Sequence, residues 1–509
     1  MKIMNMNIIE NILASLKYFY PELALTLTFF VLLLVDLFAK RWKYLLPGIS
    51  LAGFIITGYL LLNTPDVKGF LFATGMANVG LYVVDPFAFY FKVLILLAMV
   101  YTILFSISSK EVFNANENRG EYYVLLSSFA LGMFLLTSTI DLLLMYLSFE
   151  LVSLSSYILA GFTRNVKRSA EASLKYIIFG AVASGAMLYG ISILYGLTGT
   201  TNIYLINFYL TNQNFETIPL IIAGLLIIGG IGFKISMAPF HFWTPDVYEG
   251  APITITAVLS VASKAAGFAV LIRFLKVMFI DLTSTNLQSS AWLILPQFKW
   301  NEIIAGLSVL TMTLGNLAAL WQTNLKRMLA YSSIAHAGYM LAGFVILDNQ
   351  GIMAILVYFF IYLFMNLGAF FIVMLIADKL GSEEMDEYTG LGYKAPFLGV
   401  ALTIFLISLT GIPPTAGFVA KLYLFGALVK TNWIWLAVIG VLNSVISLYY
   451  YIKVVKNMFL RESDIQYSHN LGYGNLLLTL SLLIPTLLFG IYFKPIIEFA
   501  EQSVRIFGF

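Results

Sequence analysis

A lysine lies inside an apolar stretch of the chain, directly before a proline. Lys234 falls within residues 220–238, which are otherwise uncharged and rich in Ile, Leu and Gly, and Pro239 follows. A lone ammonium at the centre of a bilayer costs roughly 2.5–3.5 kcal/mol on insertion scales, so it requires a partner or water. The proline interrupts the helix and releases backbone polar groups. A titratable group beside a broken helix is typical of an ion or proton path.

An acidic residue lies within an earlier apolar span. Glu150 falls within residues 142–162, and we expect it to pair with Lys234. An ion pair offsets the desolvation of both charges and makes the proton affinity of each depend on the other. The alternative is a carboxyl group that is hydrogen-bonded by Ser148 or Ser153, or one that stays protonated.

Three further titratable residues lie inside apolar spans of the later chain. Lys264 is flanked by small residues and is roughly ten or more residues from either end of its span, which is too far to snorkel. Lys421 follows the segment Gly-Ile-Pro-Pro-Thr-Ala-Gly, whose unwound backbone would expose carbonyls to an ammonium; a snorkelling lysine is the alternative. His336 changes charge near neutral pH and would bridge Lys264 to Lys421, or would be a structural histidine with its hydrogen bonds satisfied.

Other charged residues have simpler interpretations. We interpret Lys92 as an interfacial anchor, and Asp85 and Asp141 as loop or helix-cap residues. His469 lies in a polar loop and is expected to be solvated.

One group of residues superficially resembles a metal site. His241, Asp246 and Glu249 lie close together in the sequence, but their spacing matches no zinc signature. Thr244-Pro245-Asp246 instead predicts a helix start, with Thr as the cap. We therefore expect no metal on this chain.

Composition places the chain among membrane proteins. It is 60% hydrophobic and only 11% charged, against about a quarter charged in soluble domains. Net charge is +3, so nucleic acid is not an expected partner. Cysteine is absent, which excludes a Cys-ligated iron–sulfur cluster and a thiol nucleophile. No dinucleotide or P-loop motif is present, so we expect no cofactor on this chain.

The predicted fold is all-α, a polytopic membrane protein with about fourteen spans of the length that crosses a bilayer. Tyr-Ile-Leu-Ala-Gly-Phe (157–162) and Tyr-Met-Leu-Ala-Gly-Phe (339–344) recur, and a broken helix with a lysine follows each. This pattern predicts two inverted five-helix repeats. The expected divisions are residues 1–121 (spans one to three), 122–280 (first repeat), 301–456 (second repeat) and 457–509 (last span).

Basic residues in the loops predict the orientation. One side collects more Lys and Arg than the other and should be cytoplasmic. It holds Lys40, Arg41, Lys43, Lys110, Arg119, Arg164, Lys167, Arg168, Lys175, Lys326, Arg327, Lys379, Lys394, Lys453, Lys456 and Arg461. Both termini are then expected on the outer side of the membrane; no cleavable signal peptide is evident.

Three segments resemble the antiporter-like subunits of respiratory complex I. They are the string from Lys234 to Pro252, Leu-Lys-Arg-Met-Leu-Ala-Tyr-Ser-Ser-Ile-Ala-His-Ala-Gly-Tyr (325–339) and Gly-Ile-Pro-Pro-Thr-Ala-Gly-Phe-Val-Ala-Lys (411–421). The similarity covers essentially the whole chain and is closest to the N-type subunit. The M-type is expected to carry Glu where this chain has Lys421, and the L-type carries a long lateral helix after its last spans.

The resemblance implies a proton relay. Glu150 and Lys234 would be the family's ion pair, Lys264 the central relay and Lys421 the terminal lysine of the outward path, while His336 matches a further family position.

The implied function is proton translocation in an NADH:quinone oxidoreductase, a translocase, without a redox site on this chain. NAD, FMN, iron–sulfur clusters and quinone are expected on partner subunits, both membrane and hydrophilic. Two alternatives remain: a subunit of a multisubunit cation/proton antiporter, which needs no redox partner, and a structural membrane scaffold whose lysines are merely buried pairs.

Overall fold

The structure is a computed structural model and describes most of the chain. The described residues are 10–38, 44–64, 69–73, 79–113, 119–163, 166–213, 215–281, 292–295, 298–462 and 471–506. His469 and four of the basic residues that we used for orientation lie outside them, namely Lys40, Arg41, Lys43 and Arg164.

Helices make up almost all of the described structure. In chain order they are α1 (Tyr20–Phe38), α2 (Leu45–Leu62), α3 (Pro86–Ser108), α4 (Lys110–Phe113), α5 (Arg119–Ser138), α6 (Leu142–Ala160), α7 (Lys167–Thr198), α8 (Ile203–Asn212), α9 (Thr217–Ile235), α10 (Trp243–Gly250), α11 (Ile253–Phe279), α12 (Trp300–Leu320), α13 (Leu325–Phe344), α14 (Asn349–Leu380), α15 (Leu391–Lys394), α16 (Pro396–Thr410), α17 (Ala416–Lys430), α18 (Ile434–Leu460), α19 (Tyr473–Ile491) and α20 (Lys494–Ser503). A π-helical turn, Leu259–Ser263, lies within α11, and a 3₁₀ turn covers Met385–Tyr388. Strands β1 (Gly69–Leu71) and β2 (Tyr82–Val84) form one antiparallel hairpin that pairs Gly69 with Val84.

The predicted all-α membrane fold is confirmed. Twelve helices of the described chain are long and apolar enough to cross a membrane. The span expected at residues 329–346 is the more polar helix α13, and the one expected at 397–428 is divided into α16 and α17. Each of the about fourteen expected spans therefore has a helical counterpart. The boundaries between the two repeats stay a prediction.

Two helices form the centre of the bundle. In the apolar window of α11 every residue is buried, and in that of α14 94% are buried. By contrast, α7 and α19 bury 28% and 22% of theirs, which leaves wide apolar faces for lipid or other protein. Side chains on α11 are therefore the farthest from any lipid.

Small residues permit the closest helix contact near this centre. A Cβ atom on Gly315 of α12 would lie 2.6 Å from the backbone nitrogen of Ala335 on α13. Backbones that approach this closely pack by van der Waals contact, the main attraction between helices in lipid. The contact fixes α13 in the bundle interior, one residue from His336.

Candidate functional site

The first helix break follows α9 and is closed by its own hydrogen bonds. Ser236 has a left-handed backbone (φ 61°), and the Met237 amide donates to the Gly232 carbonyl at 2.8 Å. The Trp243 indole donates to the Phe233 carbonyl at 3.0 Å. These bonds take up carbonyls that the end of a helix leaves without partners. The break is therefore a defined turn in the protein interior.

Lys234 lies in the last turn of α9 and is surrounded by hydroxyl groups. Its Nζ atom lies 3.3 Å from Ser153 Oγ, 3.4 Å from Ser156 Oγ and 3.5 Å from the Tyr176 hydroxyl. The residue is only 1% exposed. The Tyr176 ring also faces the ammonium, with its centroid 5.6 Å away, as in a cation–π contact. Polar but uncharged groups thus replace water around this lysine.

Glu150 does not form the direct ion pair with Lys234 that we expected. Within the described residues, the Glu150 Oε1 atom is buried and has no hydrogen-bond partner. Its charge acts on Lys234 only at longer range. Ser153 follows Glu150 by one turn of α6 and reaches the ammonium first. The alternative contact with Ser148 is also absent, because that hydroxyl donates to the Leu144 carbonyl.

Lys264 is fully buried at the centre of the bundle. Its Nζ atom donates to the Ser333 carbonyl at 2.7 Å and to the Ser333 hydroxyl at 2.9 Å. The π-helical turn ends at Ser263, so the lysine opens the regular part of α11. Such turns are frequent at functional sites because they displace backbone carbonyls from the helical ladder.

His336 lies on α13, one turn after Ser333, and both of its ring nitrogens have partners. Nδ1 lies 2.7 Å from the Tyr358 hydroxyl, and Nε2 lies 3.4 Å from the Tyr451 hydroxyl. Tyr451 in turn contacts the Ser332 hydroxyl at 2.5 Å. Both Lys264 and Lys421 act electrostatically on the ring. Both ring nitrogens have partners, as the structural alternative requires, and the bridge from Lys264 to Lys421 stays a prediction.

Lys421 lies at the second helix break. Gly411 has a left-handed backbone (φ 89°), and the Ile412 amide donates to the Ile407 carbonyl at 3.3 Å, a bond of the same spacing as at the first break. The freed Thr410 carbonyl accepts a hydrogen bond from Lys421 Nζ at 2.6 Å. This is the contact between a carbonyl and an ammonium that we expected from the unwound segment.

The second break also supplies Lys421 with a hydroxyl and an aromatic face. Ser444 Oγ lies 2.7 Å from Nζ, and the Tyr339 ring centroid lies 4.9 Å from it. Tyr339 is one turn after His336 on α13, and the two rings are 5.7 Å apart. One helix therefore faces Lys264, carries the histidine and faces Lys421.

Aromatic residues connect the surroundings of Lys234 with those of Lys264. Tyr176 stacks on Trp243 at 4.3 Å, and Trp243 contacts Tyr248 at 6.1 Å. The Tyr248 hydroxyl is directed toward Ser333, but it forms no hydrogen bond of ordinary length in the described structure. Buried hydroxyls of this kind are usually satisfied by water. Tyr248 therefore lies between the aromatic residues around Lys234 and the serine that contacts Lys264.

The two acidic residues of the group that superficially resembled a metal site, Asp246 and Glu249, form ion pairs, whereas His241 forms none in the described structure. Arg327 Nη1 lies 2.7 Å from Asp246 Oδ1 and 2.8 Å from Glu249 Oε2, and Lys175 Nζ lies 2.7 Å from Asp246 Oδ2. Among the described residues, no group of three His, Cys, Asp or Glu side chains is placed to hold a metal. Helix α10 begins at Trp243, and the Thr244 hydroxyl caps nothing, so the expected Thr cap is wrong.

Asp246 has a shifted proton affinity. Burial raises the pKa of this carboxyl, but hydrogen bonds from Lys175 and Arg327 outweigh the burial, and the pKa lies below its usual range. The charged form of Asp246 is therefore the stable one, and it ties α10 to the beginning of α13.

Lys92 is not the interfacial anchor that we predicted. Its Nζ atom lies 2.8 Å from Glu22 Oε1 and 2.7 Å from the Tyr82 hydroxyl, and both charged side chains are at most 5% exposed. The ion pair between Lys92 and Glu22 was not predicted, because Glu22 is far away in the sequence, at the beginning of α1.

Asp85 caps α3, as predicted, and also has an unpredicted role. It accepts a hydrogen bond from the Ala88 amide at 2.8 Å and binds both terminal nitrogens of Arg273, at 2.7 and 2.9 Å. Arg273 is itself buried. Asp141 caps α6 through the amides of Leu143 and Leu144, which confirms that prediction.

Sequence reasoning missed most of the polar partners of the lysines. Ser156, Tyr176, Tyr358, Tyr451 and Ser444 contact a titratable group in the structure. A usable signal was present in α6, where four serines accompany Glu150 in a mainly apolar span. Tyrosines give little signal, because the chain contains 30 of them.

Comparison with known proteins identifies the family of the chain. A family described as NADH:quinone oxidoreductase/Mrp antiporter, transmembrane, matches residues 139–447. The NADH-quinone oxidoreductase subunit N 2 of Chloroherpeton thalassium is 48% identical over 98% of this chain and 97% of its own.

Solved structures agree as well. A chain of the respiratory complex I from Thermus thermophilus with bound aureothin has a TM-score of 0.74 and 29% identity, and the match covers 94% of this chain and 98% of that one. A chain of the Mrp complex from Dietzia sp. DQ12-45-1b shares the fold, with a TM-score of 0.80 at 21% identity over 96% and 97% of the two chains. The matched family region alone covers more than half of this sequence. The chain is therefore a multi-pass membrane protein that belongs to the NADH:quinone oxidoreductase/Mrp antiporter transmembrane family.

Proposed function

We propose that this chain is the N-type subunit of a proton-translocating NADH:quinone oxidoreductase. The observation that carries the proposal is the series of buried titratable residues at Lys234, Lys264, His336 and Lys421. Each has polar partners, and together they lead from one helix break to the other. A buried ammonium with few partners is a poor choice for stability alone, which favours a role in proton transfer.

The proton would move between the two breaks in four stages. Electron transfer in partner subunits changes the charge near Glu150, and this alters the proton affinity of Lys234. The proton passes from Lys234 to Lys264 by way of Tyr248 and bridging water. It then crosses Ser333 and His336 and reaches Lys421, from which it leaves on the opposite side.

The absence of a direct ion pair between Glu150 and Lys234 fits one state of this cycle. An ammonium that is held by hydroxyls at 3.3–3.5 Å is less firmly bound than one paired with a carboxylate. We infer that Glu150 and Lys234 approach each other in the alternate state. Moving one charge against 100 mV requires about 2.3 kcal/mol. Forming or breaking one poorly solvated ion pair can supply this energy.

The chemistry of electron transfer belongs to other subunits in this proposal. The chain has no cysteine, so it cannot supply the thiolates of an iron–sulfur cluster. NAD, FMN and quinone would likewise bind to membrane and hydrophilic partner subunits. We place the complex in the cytoplasmic membrane of a bacterium, with both termini of this chain on the outer side.

The test is proton pumping by the complete complex with Lys234→Ala in this chain. The complex is reconstituted into vesicles, and protons moved are measured per NADH oxidised. We expect fewer protons per NADH than in the parent complex. An unchanged ratio would refute the role of Lys234 as a relay.

A cation/proton antiporter is the weaker alternative. The relative from Chloroherpeton thalassium is named as an oxidoreductase subunit, and the likeness to the Mrp complex, at 21% identity, shows the fold alone. Sodium-dependent proton transport by vesicles without any other complex I subunit would favour the antiporter.

A further inference from the structure

An open apolar groove between α17 and α18 leads from the lateral, membrane-facing surface of the bundle to Lys421. It has a volume of about 640 Å³, and Lys421, Thr410 and Ser444 lie among the residues that line it. Its walls are apolar side chains that are about half exposed in the isolated chain. They include Leu422, Val429, Val438, Val441, Leu442 and Val445. An apolar surface of this kind requires a cover that is itself apolar.

A second cavity continues the groove toward the end of α18. It has a volume of about 770 Å³ and shares Val445 and Leu448 with the groove. Three cations line it: Lys453, Lys456 and Arg461. The two cavities together therefore have an apolar part and a basic end. The basic end lies on the side of the bundle that we predict to be cytoplasmic.

One carboxylate also lines the basic cavity, but it does not neutralise it. Asp386 Oδ1 lies 3.8 Å from Arg461 Nη1, and both side chains are more than half exposed. Such a pair is weak, since water screens it. Lys453 donates to the Gln322 carbonyl at 3.3 Å, which leaves its charge uncompensated by that contact. Three cations against one carboxylate leave the cavity positive.

We propose that this composite cavity binds an anionic phospholipid, with its phosphate at Lys453, Lys456 and Arg461 and one acyl chain in the groove. Basic pockets between membrane helices on the cytoplasmic side are suited to anionic head groups. The apolar groove is suited to the acyl chain, because neither presents unpaired polar groups to the other.

The length of an acyl chain fits the groove. Ser444 and Lys456 are 12 residues apart on α18, which corresponds to ~18 Å along the helix axis. One leaflet supplies half of a ~30 Å hydrocarbon core, or ~15 Å of acyl chain. A lipid anchored at Lys456 would therefore end close to the depth of Ser444 and Lys421.

The bound chain would close the side opening to Lys421. The acyl chain would lie in the groove, between Lys421 and the surrounding bilayer. It would therefore keep water from reaching the lysine from the side. Lipid binding itself is independent of the proposed function. Only the sealing role of the lipid rests on the proposed function. The binding test below can therefore fail without affecting the proton-transfer proposal.

The test uses lipids with a photoreactive diazirine at the end of one acyl chain. The intact complex is placed in bilayer nanodiscs that contain either labelled phosphatidylglycerol or labelled phosphatidylcholine, and the labelled peptides are identified by mass spectrometry. We expect phosphatidylglycerol to label the groove around Leu442 and Val445 far more than phosphatidylcholine does. Equal labelling by both lipids would overturn the assignment of an anionic ligand.

Variants separate the head-group and acyl-chain contacts. Lys456→Gln should reduce labelling of the groove by phosphatidylglycerol about fivefold, since each cation near an anionic head group has an effect of that order. Lys379→Gln is the matched control, an exposed lysine on the same predicted side that does not line the cavity, and it should change nothing. Unchanged labelling in Lys456→Gln would contradict the head-group site.

A partner protein in the groove is the competing outcome. A photoreactive amino acid is introduced at Val445, which is 62% exposed, and the cross-linked product is identified in the native membrane. We expect a lipid adduct. A cross-link to another subunit in place of lipid would overturn the proposal, because the groove would then be a protein interface.

Discussion

Lys264 donates hydrogen bonds to both the carbonyl and the hydroxyl of Ser333, at 2.7 and 2.9 Å. The contact joins α11, the most buried helix of the bundle, to α13, which also carries His336. A change of charge on Lys264 is therefore felt by the helix that leads to Lys421. In this arrangement Ser333 positions the central lysine, and His336 lies one turn later on the same helix.

The Tyr358 hydroxyl should be necessary for the position of His336. Tyr358→Phe removes the 2.7 Å contact with Nδ1, which should cost about 1 kcal/mol in stability and slow proton transfer. Tyr101→Phe is the control, because its hydroxyl contacts only Ser481, which lies outside the proposed relay. The pH profile of proton pumping by the complex checks this. Similar profiles for the two variants would contradict the positioning role.

Gly411 should tolerate no side chain. Its φ of 89° favours glycine, and a Cβ atom there would lie 2.7 Å from Lys421 Cδ. We expect Gly411→Ala to lose about 1–2 kcal/mol of stability and to displace Lys421 from Thr410. Gly426→Ala is the control on the following helix, with open space around its Cβ position. Thermal unfolding of both variants measures the difference, and equal stability would show that the second break is not fixed by Gly411.

The pair between Lys92 and Glu22 should be structural. Lys92→Met leaves a buried carboxylate without its 2.8 Å partner, which should lower the free energy of unfolding by about 3–5 kcal/mol. The double variant Lys92→Met/Glu22→Gln should recover part of this loss, because no unpaired charge remains. Denaturant unfolding provides the measurement, and protons pumped per NADH should stay the same. A drop in pumping by the stable double variant would instead place the pair on the proton path.

Asp246 should contribute stability that depends on pH. The pKa of Asp246 is lower in the folded protein than in the unfolded chain, because the hydrogen bonds from Lys175 and Arg327 outweigh burial. Its contribution is therefore fully present above the unfolded pKa of about 4 and is lost as the pH falls through the folded pKa.

Thermal unfolding of Asp246→Asn against pH tests this. The variant should be less stable than the parent at neutral pH, and the two should converge in acid. Glu171→Gln is the control, since Glu171 also pairs with Lys175 but is 62% exposed and should matter little. A stability difference that persists unchanged into acid would contradict the role given to Asp246.

Local features of the chain were predictable from the sequence. Proline and glycine restrict the backbone within a few residues, so both helix breaks and the contact between Lys421 and a freed carbonyl could be predicted. The burial of Lys264 followed from its distance to either end of an apolar span.

Contacts between distant residues were not predictable. The partner of Lys92 lies 70 residues earlier in the chain, and nothing local distinguishes Glu22 from an interfacial residue. The expected contact between Glu150 and Lys234 depends on which hydroxyls lie nearer, and this is set by the rotation of α6 about its axis. An apolar sequence fixes such a rotation only through packing with neighbouring helices.

The most direct test of the central claim is the number of protons pumped per NADH by the complete complex with Lys264→Met. Methionine keeps the bulk of the buried side chain but cannot carry a proton, and Lys379→Met serves as the exposed control. The proposed relay predicts a lower ratio for Lys264→Met, in an assembled complex that retains electron transfer, and an unchanged ratio for the control. A ratio equal to that of the parent complex in the Lys264→Met variant would contradict it.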